Sequence, residues 1–169
     1  MKTPSVTQII DAVFPRRDYE LADDWYLERG TAVHAWAAKI VGGEKINWGQ
    51  VQPVIEPRVR ALYRWWQEAG ITQARAEVVL AGDGYAGTAD VIGTYQGSRY
   101  VIDWKGTYSP RADWQVAAYC MAANLKHGAV VVVDDVGARV RFVNVARARL
   151  EFRAIFAAYR AGVAVGPIS

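Results

Sequence analysis

A mixed α/β (α+β) layer, with helices packed on a central mixed sheet of about five strands, is the fold class this sequence predicts. Three observations predict it. Apolar residues recur at helical spacing through the first seventy positions, the period drops to two from about residue 76, and helix and strand patterns then alternate to the end. At 169 residues the chain is long enough for one well-buried domain and short for two, so residues 1–169 are expected to form a single unit. Within it, 1–70 is a helical N-terminal part and 74–162 an αβ core.

Each element has its own signal. Thr3 and Pro4 suit a helix start, and Val6, Ile9, Ile10 and Val13 follow at helical spacing until Pro15. A second helical pattern covers about 19–41, with an interruption at Gly30, and ends at Gly42 and Gly43. The third, VIEPRVRALYRWWQEAG, gathers Val59, Leu62, Tyr63 and Trp66 on one side and stops at Gly70. AEVVLAG, YAGTADVIGTY and SRYVIDWK are strand-like runs divided by Asp83-Gly84 and Gln96-Gly97. Residues 111–127 read as a helix, GAVVVVDD and ARVRFVNV as two further strands, and 146–161 as a last helix.

Composition narrows the function classes. Hydrophobic residues at 52% and charged residues at 22% match a folded globular chain, which excludes disorder. No run approaches the roughly 18 apolar residues of a membrane span and the first residues lack a targeting pattern, so a cytoplasmic protein with no membrane partner is expected. The single cysteine, Cys120, excludes an internal disulfide and a multi-thiolate metal site. A net charge of +3 permits nucleic-acid binding without arguing for it.

The chemistry concentrates in the strand hairpins. With Asp83-Gly84 as a two-residue turn, Glu77 lies opposite Asp90; with Gln96-Gly97 as the next, Asp90 lies opposite Asp103. Lys105 shares Asp103's face because side chains alternate along a strand. Moving the second turn to Gly97-Ser98 sets Asp90 opposite Lys105 and keeps the shared face, whereas a three-residue loop breaks it. Three carboxylates about one strand spacing apart, ~5 Å, cannot all stay ionised without compensation. Lys105 provides one positive charge, and a hard divalent cation, Mg²⁺ or Mn²⁺, one ion or two, is the natural complement.

Glu77, Asp90 and the DWK tripeptide of Asp103, Trp104 and Lys105 resemble the PD-(D/E)xK nuclease superfamily. RGTAVH, ending in His34, and QVAAY, with Gln115 and Tyr119, are similar to elements of its RecB-like branch, which includes phage and CRISPR-associated exonucleases. The resemblance covers about residues 3–134. A [D/E]xK tripeptide arises by chance in a chain of this length, but the ordered set of His34, Glu77, Asp90, Asp103, Lys105, Gln115 and Tyr119 is far more specific.

The resemblance implies a restriction-endonuclease-like core and a metal-dependent DNA nuclease, an exonuclease acting on DNA ends in recombination, repair or defence. It implies that Asp90, Asp103, Glu77 and the Trp104 backbone carbonyl hold the cation, with His34 as a further ligand. Lys105 would orient the attacking water or stabilise the transition state, and Gln115 and Tyr119, four apart on one helix face, would position the site or the substrate. The cysteines that bind an iron–sulfur cluster in some relatives are absent, so no cluster is expected. Two alternatives stay open: a structure-specific endonuclease, and a non-catalytic nucleic-acid-binding module with the same fold.

Several residues have plainer readings. His127 is a surface histidine, Asp134 and Asp135 begin a turn, and most of the seven tryptophans are core, with Trp25, Trp65 and Trp114 the better candidates for base stacking. Arg58, Arg60 and Arg64 on the third helix are expected to contact the DNA backbone. Arg139, Arg141 and the other arginines of the C-terminal quarter are read equally well as a solvated face.

Overall fold

The computed structural model describes residues 2–16 and 24–166, and for 24–29 the helical backbone alone. The helices are α1 (Val6–Val13), α2 (Asp24–Val41), α3 (Glu56–Ala69), α4 (Pro110–Ala123) and α5 (Val145–Arg160). The strands are β1 (Thr72–Ala81), β2 (Ala86–Tyr95), β3 (Ser98–Lys105), β4 (His127–Val133) and β5 (Ala138–Phe142). They form one sheet in the order β1-β2-β3-β4-β5, antiparallel except for the parallel β3–β4 pair that α4 bridges as a crossover. The fold is therefore the mixed α/β architecture expected, with five strands.

Local chemistry sets the boundaries. The cap of α1 is Ser5 and not Thr3: Ser5 Oγ accepts from Gln8 N–H at 3.1 Å, and Gln8 Oε1 accepts from Ser5 N–H at 2.9 Å. Pro4 lies before the helix, where its carbonyl accepts from Ala86 N–H. The helix α2 runs through Gly30 without a break. Gly70 in the left-handed region stops α3, and Asn124 (φ 54°) stops α4 before the expected residue 127. Strand β1 begins at Thr72, earlier than the two-residue period indicates, because its first residues lie beyond the Gln73 irregularity in the β1–β2 ladder.

Both hairpin registers are those that the turn residues dictate. Gly82 N–H donates to Tyr85 C=O around Asp83-Gly84, and Val78 pairs with Ala89. Tyr95 pairs with Ser98 around Gln96 and Gly97, whose positive φ values of 50° and 80° are the signature of a type I′ turn.

The sheet has a core on each face. Val6, Ile9, Ile10 and Val13 of α1 pack with α4, Phe152 and Ile155 of α5, and Val101 and Val130 of the sheet. On the other face, α2 and α3 bring Ala37, Val59 and Leu62 against Val91, Ile102, Trp104 and Val131. Two strands change face between these cores. Ala74 and Ala76 pack in the α2–α3 core but Val78 and Leu80 in the α1–α4–α5 core, so β1 turns over at Glu77, where φ is 53°. In β2, Ala89 lies in the α1–α4–α5 core and Val91 in the other, so the change falls at Asp90. Strict alternation fails at the two positions where the acidic residues stand.

Candidate active site

The β2–β3 ladder runs from Tyr95–Ser98 to Val91–Ile102 and stops there. One residue further along, Asp90 and Asp103 flank the point where the strands part. Trp104 N–H, which would otherwise seek a partner on β2, donates to Asp90 Oδ2 at 2.8 Å. The carboxylate thus replaces a ladder acceptor and is held by the backbone of the neighbouring strand. The second Asp90 oxygen, Oδ1, lies 3.1 Å from His34 Nδ1 on α2.

Asp103 is 5% exposed. Its Oδ2 is buried and lies 3.1 Å from Lys105 Nζ, with which it forms an ion pair. His34, Asp90, Asp103 and Lys105 accordingly form one connected group, assembled from α2, β2 and β3.

The electrostatics follow from burial and crowding. Burial pushes the Asp103 carboxyl up to about 7; Lys105 pulls it down, and the Asp90 charge and hydrogen bond push it further up. Burial would also raise Asp90, but the hydrogen bond and charge of His34, the Asp103 contact and the Trp104 N–H together hold it below its ordinary value. Burial alone would lower His34, yet Asp90 and Asp103 carry it above 6.5 against the opposing charge of Lys105. The two carboxyl groups titrate as a pair, in which the more desolvated Asp103 is pushed up and Asp90 is held down.

The remaining sequence-predicted residues take different places. Glu77 is exposed, and partial burial together with the Asp90 charge raises its pKa, with His34 opposing, which sets it within electrostatic reach of the group. Tyr119 is buried; burial first, then the charges of Asp103 and Asp90, raise its hydroxyl well above the ordinary tyrosine range. Its ring lies so close to β2 that a Cβ on Gly87 would come within 2.5 Å of it. Gln115 donates to Thr7 Oγ1 of α1 at 3.1 Å, so it ties two helices together. Nothing in the sequence pairs residues 108 positions apart.

Among the described residues, no three His, Cys, Asp or Glu side chains gather closely enough to make a ready-formed metal cage.

The three helix arginines divide. Arg58 joins His34, Lys105, Gly106 and Trp104 in a small hollow of about 40 Å³; its Nε is buried without a hydrogen bond and lies 3.6 Å from Asp135. Arg60 is held by Glu56 at 2.7 Å and lies 4.2 Å over the Trp48 ring, and with Arg64 and Tyr63 it lines a separate hollow. Of the stacking candidates, Trp114 is buried against Phe14 and donates to Glu151, and Trp65 packs edge-on against Trp104 and Tyr95. The Trp25 side chain lies outside the described residues. His127 is exposed and stacks on Tyr100.

No protein-family model and no curated protein matches the chain. Among solved structures, it is similar to the alkaline exonuclease LHK-Exo from Laribacter hongkongensis at 15% identity, covering 93% of this chain and 87% of that one, with a TM-score of 0.46. A structure of LHK-Exo in complex with dAMP gives 15% identity, 94% and 88% coverage, and a TM-score of 0.48. At that distance the likeness assigns no chemistry to this chain, whose own side chains must carry it. No helix of the described residues is long and apolar enough to cross a membrane.

Proposed function

We propose that this protein is a metal-dependent deoxyribonuclease that hydrolyses phosphodiester bonds, acting as an exonuclease on DNA ends. The observation that carries the reading is the Asp90–Asp103 pair at the fork of β2 and β3, Asp103 buried and Asp90 half-buried, with Lys105 two residues beyond and His34 reaching in from the opposite layer. Desolvated carboxylates that perturb one another, grouped with a lysine, are a costly arrangement for a purely structural sheet and a useful one for a reaction that develops negative charge.

The residues fit a divalent cation. Asp103 Oδ2 is a buried carboxylate oxygen whose charged neighbour at 3.1 Å is Lys105, and the donor set is mostly hard oxygen. Asp90, Asp103, Glu77 and the Trp104 carbonyl would hold the ion, with His34 as a further ligand. Such an ion supplies charge that favours deprotonation of water and polarises a phosphate oxygen.

The protein's own groups supply the rest. Lys105, an ammonium on the rigid end of β3, stabilises charge growing on the phosphate oxygens. Arg58, which lines the same hollow, would hold a non-bridging oxygen through its guanidinium. Arg60 and Arg64 would meet the backbone further out. Asp90 fixes His34, and Trp104 N–H fixes Asp90, so two of the donors are oriented before substrate arrives.

Labelled linear DNA incubated with the protein and Mg²⁺ or Mn²⁺ should be degraded, and Asp103→Ala or Lys105→Ala should lower the rate by a factor of about 100 or more. Undiminished cleavage by both variants defeats the assignment. Covalently closed circular DNA should survive; its cleavage would make the enzyme an endonuclease.

A further inference from the structure

The sheet face that bears Asp103 and Lys105 continues past them. Across the parallel ladder Asp103 stands beside Val130 and Lys105 beside Val132. Across the next ladder Val130 faces Arg141 and Val132 faces Arg139. Two rows therefore cross three strands, one from Asp103 to Arg141 and one from Lys105 to Arg139. With strands ~4.8 Å apart, each arginine backbone lies roughly 10 Å from the acidic or basic residue that starts its row.

A hollow of about 470 Å³ opens at the arginine end of these rows, lined by Gly106, Tyr108, Val132, Arg139 and Arg141 among others. Gly106 also lines the hollow of His34, Arg58 and Lys105, so the two meet at that residue. The Arg141 guanidinium lies 3.7 Å over the centre of the Tyr108 ring, and the Tyr108 hydroxyl donates to Asp113 Oδ2 at 2.8 Å. The arginine is thus supported from below by a ring that is itself fixed. Arg141 is exposed and makes no ion pair among the described residues. Arg139 is 76% exposed and meets Asp134 only at 3.6 Å.

We propose that this groove binds the phosphate backbone of a nucleic-acid strand on one side of the bond being cut, with Arg139 and Arg141 as phosphate contacts and Tyr108 as the residue that positions Arg141. A planar guanidinium stacked on a ring keeps its edge donors for bidentate phosphate contact and leaves its outer face for a base. The inference rests on the nuclease reading for what is cut, but binding can be measured without cleavage.

Fluorescence anisotropy with a labelled 20-nucleotide single strand in EDTA, over a salt series, reads the groove directly. Arg139→Ala/Arg141→Ala should weaken binding at least fivefold at low salt. It should also reduce the salt slope by about 1.4, two phosphate contacts at ~0.7 each. Tyr108→Ala should give part of that loss. Arg153→Ala/Arg160→Ala, which removes equal charge from α5 beside the Asp83-Gly84 turn, should stay within twofold of wild type, with circular dichroism confirming that every variant folds. Equal losses in the two double variants would reduce the effect to net charge and overturn the proposal, as would an unchanged slope.

In the cleavage reaction, KM for the 20-mer should rise in Arg139→Ala/Arg141→Ala. If wild type binds through these arginines but cleaves nothing, the groove stands and the nuclease reading falls. If the double variant cleaves the 20-mer with unaltered KM, the groove falls and the nuclease stands.

Discussion

A carboxyl group with 5% exposure beside a second carboxyl has two ways to avoid uncompensated charge: it keeps a proton or keeps a cation close. Asp103 does some of each, with its pKa pushed up to about 7 and Lys105 at 3.1 Å. Because the folded state holds this proton at pH values where the unfolded chain has lost it, Asp103 favours the fold fully below about pH 4. That contribution is lost as pH rises from about 4 through about 7. Asp90, depressed by His34, works the opposite way, and its contribution is lost only below pH 4. Asp103→Asn removes the ionisation, so in EDTA its stability relative to wild type should climb between pH 4 and 7.5. The gain should be between about 1 and 4 kcal/mol, the ceiling set by 1.36 kcal/mol per pH unit. Urea melts across this range that keep a constant difference between the two proteins would mean Asp103 is not titrating there.

At the scale of elements, α4 does most to hold the site's environment in place. It lies on the sheet at glycines: a Cβ on Gly128 would come within 2.2 Å of Val116 Cγ1, and one on Gly87 within 2.5 Å of the Tyr119 ring. Gly128→Ala must push α4 off β4, and overpacking of this kind costs about 1–3 kcal/mol. A melting temperature lowered by several degrees is expected, and an unaltered one would mean the helix is not seated this tightly. The elements also divide by how much of them the sequence makes legible. The two tight turns are local chemistry, so Asp83-Gly84 and Gln96-Gly97 determine both registers and bring Asp90 level with Asp103. The change of face at Glu77 breaks the two-residue period on which such a reading depends, and only packing against two cores reveals it. The Gln115–Thr7 bond and the rows from Lys105 to Arg139 join distant segments through α1 docking and parallel pairing, which no local pattern encodes. Arg58, Arg60 and Arg64 looked alike because helical spacing says which side of α3 they occupy but not what faces that side.

At the scale of the whole molecule, the site lies where the two cores meet the edge of the β2–β3 ladder, and its members come from both layers. His34 arrives on α2, Tyr119 on α4, and Asp90, Asp103 and Lys105 on the sheet between them. Drawing these charges together costs stability in the absence of a metal ion, since Asp103 must keep a proton or face Asp90 with only Lys105 to offset it. An ion that binds only the folded arrangement repays that cost by mass action, contributing about 2.7 kcal/mol when present at a hundred times its dissociation constant. For a chain of this length that corresponds to an upward shift in melting temperature of roughly 5–10 °C. Binding competes with protons on Asp103 and His34, so the shift should be larger at pH 8 than at pH 6. Differential scanning fluorimetry with Mn²⁺ or Mg²⁺ against EDTA should show it in wild type and lose most of it in Asp90→Ala, which retains Asp103 but takes away the group that holds His34. If wild type melts at the same temperature with and without either ion at pH 8, the carboxylate pair is not a cation site, and the nuclease assignment loses its foundation.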